Sequence, residues 1–185
     1  MNQEIRFDNY SMFVESKHNY DWYDWCVFVN EEREIIEKIN SVEYILHPTF
    51  PNPIRIVRDK DHCFSLLSSG WGTFKIKIKV HMEDGSVVDR DHYLILAQDN
   101  WPRKSAPDSF GNDETERVYR GLSDKKYRWR QVKTLSKLAN IPDTQVLRIL
   151  ENLEKDEFVR KAPYKTIQGT DLWGATAIVG ILPRR

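Results

Sequence analysis

Two short stretches of this 185-residue chain combine large aromatic rings with proline, glycine and a hydroxyl at loop-like positions. They are His47-Pro48-Thr49-Phe50-Pro51-Asn52-Pro53 and Ser69-Gly70-Trp71-Gly72-Thr73-Phe74. Phe50 and Trp71 are thus large rings placed on loops. Gly70 and Gly72, on either side of Trp71, are expected to free the backbone for a tight turn and for close approach of a ligand to the main chain. The chemistry on offer is binding rather than bond-making. The plainer reading of such rings in a small β-domain is core or rim packing, and composition alone does not separate the two.

Other chemistries are less well supplied. The five histidines, His18, His47, His62, His81 and His92, are scattered, and no His/Cys/Asp/Glu spacing matches a metal site. His81 and His92 are placed to form a cross-strand pair over the Gly85 hairpin. In Asp61-His62-Cys63 adjacent strand residues point to opposite faces, which argues against a dyad. There is no phosphate-binding glycine loop and no nucleophile elbow. We therefore read the chain as non-enzymatic, with no cofactor and no metal. Cys26 and Cys63 sit among apolar residues on predicted strands and are expected to be buried thiols in a reducing compartment. Without a secretory leader or a long apolar run, the expectation is a cytoplasmic protein with no membrane partner.

The elements that must position the two loops are strands. Ile76, Ile78 and Val80 alternate with Lys75, Lys77 and Lys79, the period of an antiparallel strand with one wet face. Pro48, Pro51 and Pro53 cannot donate to a ladder, so the chain leaves the sheet after Leu46. Upstream, Ile5 and Phe7 open an edge strand. Trp25, Val27 and Val29 share a strand face, with Trp22 in the loop before it. Asn30–Glu34 reads as a charged turn and 35–46 as extended. Ile54–Val57 and Phe64–Leu67 are short strands, Glu83-Asp84-Gly85-Ser86 is a hairpin turn, and His92–Leu96 closes the set. Seven or eight short strands at this spacing suit a β-sandwich.

At these same residues the chain resembles the YEATS domain family. One family motif is Leu-His, then any residue, a small hydroxyl residue, an aromatic and a proline three places on; here it is Leu46-His47, Thr49-Phe50 and Pro53. A second is Gly-aromatic followed two places on by Phe, matched by Gly70-Trp71-Gly72-Thr73-Phe74. A third is the strand Asp24-Trp25-Cys26-Val27-Phe28-Val29. The resemblance covers roughly residues 19–96, and the combination of such a segment with a winged-helix-like domain after residue 113 looks like the prokaryotic branch of the family. It implies an immunoglobulin-like β-sandwich that, in eukaryotic members, reads acylated lysine on histone tails. Carried over, Phe50 and Trp71 would sandwich the acyl group, and the Thr49 hydroxyl and Trp71 backbone N–H would donate to its carbonyl. His47 would support the wall, Phe74 the floor, and Trp22 would border the pocket. Pro48 stands where eukaryotic members often carry an acidic residue, and Thr49 where serine is common, which implies either an altered acyl preference or a pocket with no acyl-lysine ligand.

After residue 100 the pattern changes. Two prolines and no periodic apolar face make residues 101–113 a linker between a sandwich at 1–100 and a second domain at 114–185. Val118, Tyr119 and Leu122 outline one helix. Val132, Leu135, Leu138 and Ile141 outline a second, and Val146, Ile149, Leu150 and Leu153 a third beginning near Pro142. Strands at 158–160 and 171–173 flank a loop at 164–169. Three helices with such a wing resemble a winged helix-turn-helix, a small α+β domain. Its third helix would offer Thr144, Gln145, Arg148 and Lys155 to DNA, and its wing Lys161 and Lys165. Glu151 and Glu154 on that helix oppose phosphate, so a protein partner is the alternative.

The formal net charge is zero, but its distribution is not even. Residues 1–100 hold 11 Lys+Arg against 17 Asp+Glu, and residues 122–185 hold 13 against 7. An acidic front half suits a basic peptide and a basic back half a polyanion. The expectation is a reader of acylated lysine, or of another planar ligand, joined to a DNA- or protein-docking arm. The alternative is a DNA-binding regulator whose sandwich only mediates protein contacts.

Overall fold

In the computed structural model, which describes residues 4–185, seven antiparallel strands precede residue 94. They are β1 (Phe7–Lys17), β2 (Tyr20–Val29), β3 (Ile39–Ile45), β4 (Ile54–Val57), β5 (Leu66–Gly70), β6 (Lys75–Met82) and β7 (Val87–Tyr93). One sheet has the order β1-β2-β5 and the other β4-β3-β6-β7. This three-and-four division is that of an immunoglobulin-like sandwich. Its core holds Trp25, Val27 and Val29 from β2, Val42 and Tyr44 from β3, and Ile76, Ile78 and Val80 from β6. Lys75, Lys77 and Lys79 face solvent, as the alternation requires. Gly85, at φ +84°, closes the β6–β7 hairpin, a conformation that favours glycine.

Several local expectations are corrected. Trp22 lies within β2 rather than in a loop, because β1 and β2 pair all the way to Lys17↔Tyr20. The charged turn and the start of the extended run are replaced by a short helix, α1 (Arg33–Ile36). It is held by Ile36 N–H to the Glu32 carbonyl and by an Arg33–Glu37 ion pair, and β3 begins only at Ile39. Cys63 is buried but not on a strand. Cys63 and Phe64 take φ near +54° in a turn that the Phe64 N–H closes onto the Asp59 carbonyl at 2.8 Å, so β5 starts at Leu66. The Tyr44 hydroxyl donates to the Phe64 carbonyl at 2.7 Å and fixes that turn to the core. His92 and Tyr93 end β7 instead of opening another strand. His92 pairs with Ile76 and His81 with Val87, so the two histidines do not face one another.

The chain divides into two compact units, one running to Trp101 and taking in Leu182–Arg185, the other being Pro102–Ile181. The second contains α2 (Asp113–Leu122), β8 (Arg130–Gln131), α3 (Val132–Ala139), α4 (Asp143–Lys155), β9 (Val159–Lys161), β10 (Leu172–Ala175) and α5 (Thr176–Val179). Its sheet runs β8-β10-β9. Asn112 caps α2 by accepting from the Thr115 N–H at 2.8 Å, and Asn140 ends α3 in the left-handed conformation. In α3 the buried positions are Val132, Leu135 and Ala139, whereas Leu138 is 55% exposed. The helix stops at Ala139, so the stripe expected to continue to Ile141 turns away at Leu138. A Cβ on Gly174 would sit 2.7 Å from the Arg128 carbonyl, which makes glycine necessary where β10 crosses that loop.

Residues 101–113 are not a free linker. Trp101 is buried in the sandwich core against Tyr10, while Phe110 packs on Tyr119 of the second unit.

Candidate ligand-binding site

The first loop, 47–53, leaves β3 and returns as β4. The Leu46 N–H donates to the Pro53 carbonyl at 2.8 Å and closes its base, and the Phe50 N–H donates to the His47 carbonyl at 3.0 Å within it. Arg55 reaches back from β4 to the Asn52 and Pro51 carbonyls and across to the Ser68 hydroxyl, which staples the loop to β5. Partial burial lowers the Arg55 pKa from its ordinary value. Side chain and backbone thus fix the loop independently.

Within that frame Phe50 turns inward. Its ring lies 5.3 Å from Phe74 and 6.1 Å from Trp25, centroid to centroid, and Trp25 and Phe74 are themselves 6.2 Å apart. His47 meets the edge of Phe74 at 6.5 Å. The structure therefore brings His47, Phe50 and Phe74 together around Trp25. Thr49 joins them through His47: its Oγ1 lies 2.9 Å from the His47 Nδ1.

Gly70 ends β5 opposite Tyr23, and neither it nor Gly72 adopts positive φ. The expected turn-making role is thus corrected. At Gly70 the missing side chain matters for approach instead: a Cβ there would lie 3.6 Å from Phe50 Cζ and 3.8 Å from Trp25 Nε1. The Trp25 indole N–H is fully buried and donates to no acceptor among the described residues. A buried donor without a partner is unusual and costly. At Gly72 a Cβ would meet nothing within 4 Å.

Trp71 is 51% exposed, and its ring stacks on Tyr20 rather than on Phe50. Phe50 and Trp71 therefore belong to two ring groups, one inside the sandwich end and one on its surface. Trp22 is half-buried with the Lys17 ammonium 4.5 Å from its ring centroid. Tyr20 and Trp25 were not picked out as site residues by the sequence. Trp25 reads as core because it opens the apolar run Trp25–Val29 of β2; its unpartnered indole N–H, a feature it shares with Trp22 and Trp173, here lies beside Gly70 and Phe50.

The residues considered for DNA contact are dispersed in their engagements. Thr144 and Arg148 are exposed on α4. The Gln145 amide donates to the Glu114 carboxylate, and Lys155 to Asn152. Lys165 and Lys161 both lie against Asp171, at 3.1 and 4.0 Å. Among the described residues no His/Cys/Asp/Glu group could hold a metal, and no helix is long and apolar enough to cross a membrane.

The first unit is a two-layer β-sandwich of three and four strands that carries the aromatic loops. Residues 23–95 match the model of the prokaryotic YEATS domain. The chain is 39% identical over 77 residues to the Protein AF-9 homolog of Kluyveromyces lactis, covering 39% of this chain and 34% of that protein. It is 40% identical over 77 residues to the Protein AF-9 homolog of Eremothecium gossypii, covering 39% and 36%. The matched stretch thus spans about a third of each of these relatives. It is also similar to a solved structure described as the Yaf9 YEATS domain recognising a succinylated lysine peptide of histone H3. That similarity has a TM-score of 0.41 and 26% identity, over 54% of this chain and 81% of that one.

Proposed function

We propose that the sandwich is a non-enzymatic reader of acylated lysine, or of a similar planar amide, held between Phe50 and Trp71. The observation that carries the reading is Gly70: within the segment that matches the prokaryotic YEATS model, a side-chain-free strand end lies against Phe50 and an unpartnered Trp25 indole, immediately before a half-exposed Trp71. Acylation removes the lysine charge and leaves a flat amide that can lie along ring faces while its oxygen accepts hydrogen bonds.

The His47–Thr49 pair supplies one such bond. The His47 Nδ1 accepts from the Thr49 backbone N–H at 3.3 Å and lies 2.9 Å from Thr49 Oγ1, which holds the hydroxyl in place to donate to a bound amide oxygen. The Trp71 backbone N–H is the second donor, and Phe74 forms the floor. Gly72 keeps the approach open and Trp22 borders it. The acidic balance of residues 1–100 favours a basic peptide carrying the modified lysine.

The second unit, in this reading, is a winged helix that docks on DNA or on a protein. Its support is the element order α2-β8-α3-α4-β9-β10 with a three-stranded sheet β8-β10-β9. Calorimetric titration with a lysine peptide in unmodified, acetylated and crotonylated forms tests the reader. Saturable heat from a modified peptide alone is expected. Equal binding of all forms, or none, contradicts it.

A further inference from the structure

If the second unit is a DNA-docking arm, its winged-helix reading assigns contact to α4 and the wing. The charges point elsewhere. Residues 140–181, which contain α4, β9 and β10, hold five Lys+Arg against six Asp+Glu. One of the five, Arg160, is buried and spends its guanidinium on the Val179 and Gly180 carbonyls. Lys161 and Lys165 lie against Asp171. The stretch from the end of α2 through α3, residues 123–139, holds six Lys+Arg against the single acid Asp124.

That excess is available at the surface. Lys125, Lys126, Lys133 and Lys137 are exposed, and none of the four has an ion pair among those described. Lys133 and Lys137 are one turn apart on α3 and project from the same side. Asp124 is taken up by Arg130 at 3.2 Å. Aromatic side chains are interleaved with the cations: Tyr127 is 46% exposed, with the Arg130 guanidinium 4.4 Å and the Lys126 ammonium 5.4 Å from its ring centroid. Arg130 in turn shares a shallow hollow with Arg117, Arg120 and the exposed Leu138, so the loop, β8 and the end of α3 meet there. Uncompensated lysines beside arginines and an exposed tyrosine are what a nucleic-acid backbone requires: counterion release supplies the affinity, and the Tyr127 hydroxyl is a donor for phosphate.

We infer that the nucleic-acid surface of this unit is the Ser123–Ala139 face, made of the α2–β8 loop and α3, and that α4 is not its principal contact. This rests on the DNA half of the proposed function, and the test separates the two. Binding of the full chain to a fluorescein-labelled duplex of random sequence is followed by anisotropy across a salt series. Two variants alter the face, Lys125→Gln/Lys126→Gln and Lys133→Gln/Lys137→Gln, and Arg148→Gln alters α4. All five side chains are exposed, so none of these changes removes core.

The expected result is duplex binding that each lysine pair weakens by roughly ten-fold at low salt. Each pair should also flatten the slope of log affinity against log salt by about one to two, with Arg148→Gln within about two-fold of the parent. Loss in Arg148→Gln with the lysine variants unchanged overturns the assignment but keeps the DNA reading. A parent chain that shows no salt-dependent duplex binding overturns both, and binding of polyglutamate in its place identifies an acidic protein as the partner.

Discussion

The ring of Tyr20 stacks on the ring of Trp71, with centroids 4.1 Å and planes 27° apart. Tyr20 is the first residue of β2, placed by a tight turn in which His18 and Asn19 both adopt positive φ. One face of Trp71 is therefore already covered, and a ligand between Phe50 and Trp71 has the other. Covering one face also restricts the rotation of an otherwise half-exposed ring.

Removing that support should weaken ligand binding without unfolding the domain. Aromatic pairs contribute about 0.5–1.5 kcal/mol beyond their buried area, so Tyr20→Ala should reduce affinity for the acylated peptide by roughly two- to twelve-fold. Tyr20→Phe keeps the ring and should bind as the parent does. Calorimetric titration of both variants distinguishes stacking from any role of the phenol oxygen.

Gly70 predicts a separation of stability from binding. An added methyl group would be at ordinary contact distance from Phe50 and Trp25, so Gly70→Ala should melt within about 1 kcal/mol of the parent. The same methyl group covers the approach to the Trp25 N–H. Affinity for the acylated peptide should fall by about ten-fold or more, as read by titration beside a thermal melt.

Thr49 is exposed, and its hydroxyl contacts only His47 among the described residues. Thr49→Val keeps the shape and removes the donor. One hydrogen bond contributes about 0.5–1.5 kcal/mol, so affinity should drop by roughly two- to twelve-fold with an unchanged melting temperature. Thr49→Ser, which keeps the hydroxyl, should restore binding.

Acid should destabilise the sandwich in two stages. His92 is partly buried, its Nε2 2.9 Å from Asn9 Oδ1, and burial lowers its pKa. The unfolded chain then binds the proton more readily, so stability should begin to fall as pH drops below about 6.5. Glu31 is 5% exposed and accepts from Arg6 through its backbone N–H and its guanidinium, which holds the carboxyl below its usual value. Its contribution is present above the ordinary carboxylate range, about 4.3, and is lost as pH falls below it. Denaturant melts across pH should show both stages, with the lower one reduced in Glu31→Gln, because Glu83 and Asp84 are also held below the ordinary carboxylate range by hydrogen bonds from Lys60 and Ser86.

The sandwich was legible where burial alternates. The lysine comb of β6 and the Gly85 hairpin follow directly from period and turn chemistry. The misplacements fall where a residue obeys a local hydrogen bond instead of its apolar character. Cys63 and Phe64 look like strand residues, but the Tyr44 hydroxyl and the Asp59 carbonyl hold them in a left-handed turn. Ile35 and Ile36 look extended but join a helical turn begun at Glu32. At the site, the motif residues His47, Thr49, Phe50 and Phe74 were readable as a group. The stacking of Trp71 on Tyr20 was not, because it depends on how far β1 and β2 continue pairing past the sandwich.

The central claim is that the Trp71 ring, carried on a loop, binds an acylated lysine. Trp71→Ala measured beside the parent, by thermal melt and by calorimetric titration with a crotonylated lysine peptide, tests it most directly. The account predicts a melting temperature close to the parent's and loss of saturable heat in the variant. A variant that binds as tightly as the parent, or one that fails to fold because Trp71 is structural, contradicts it.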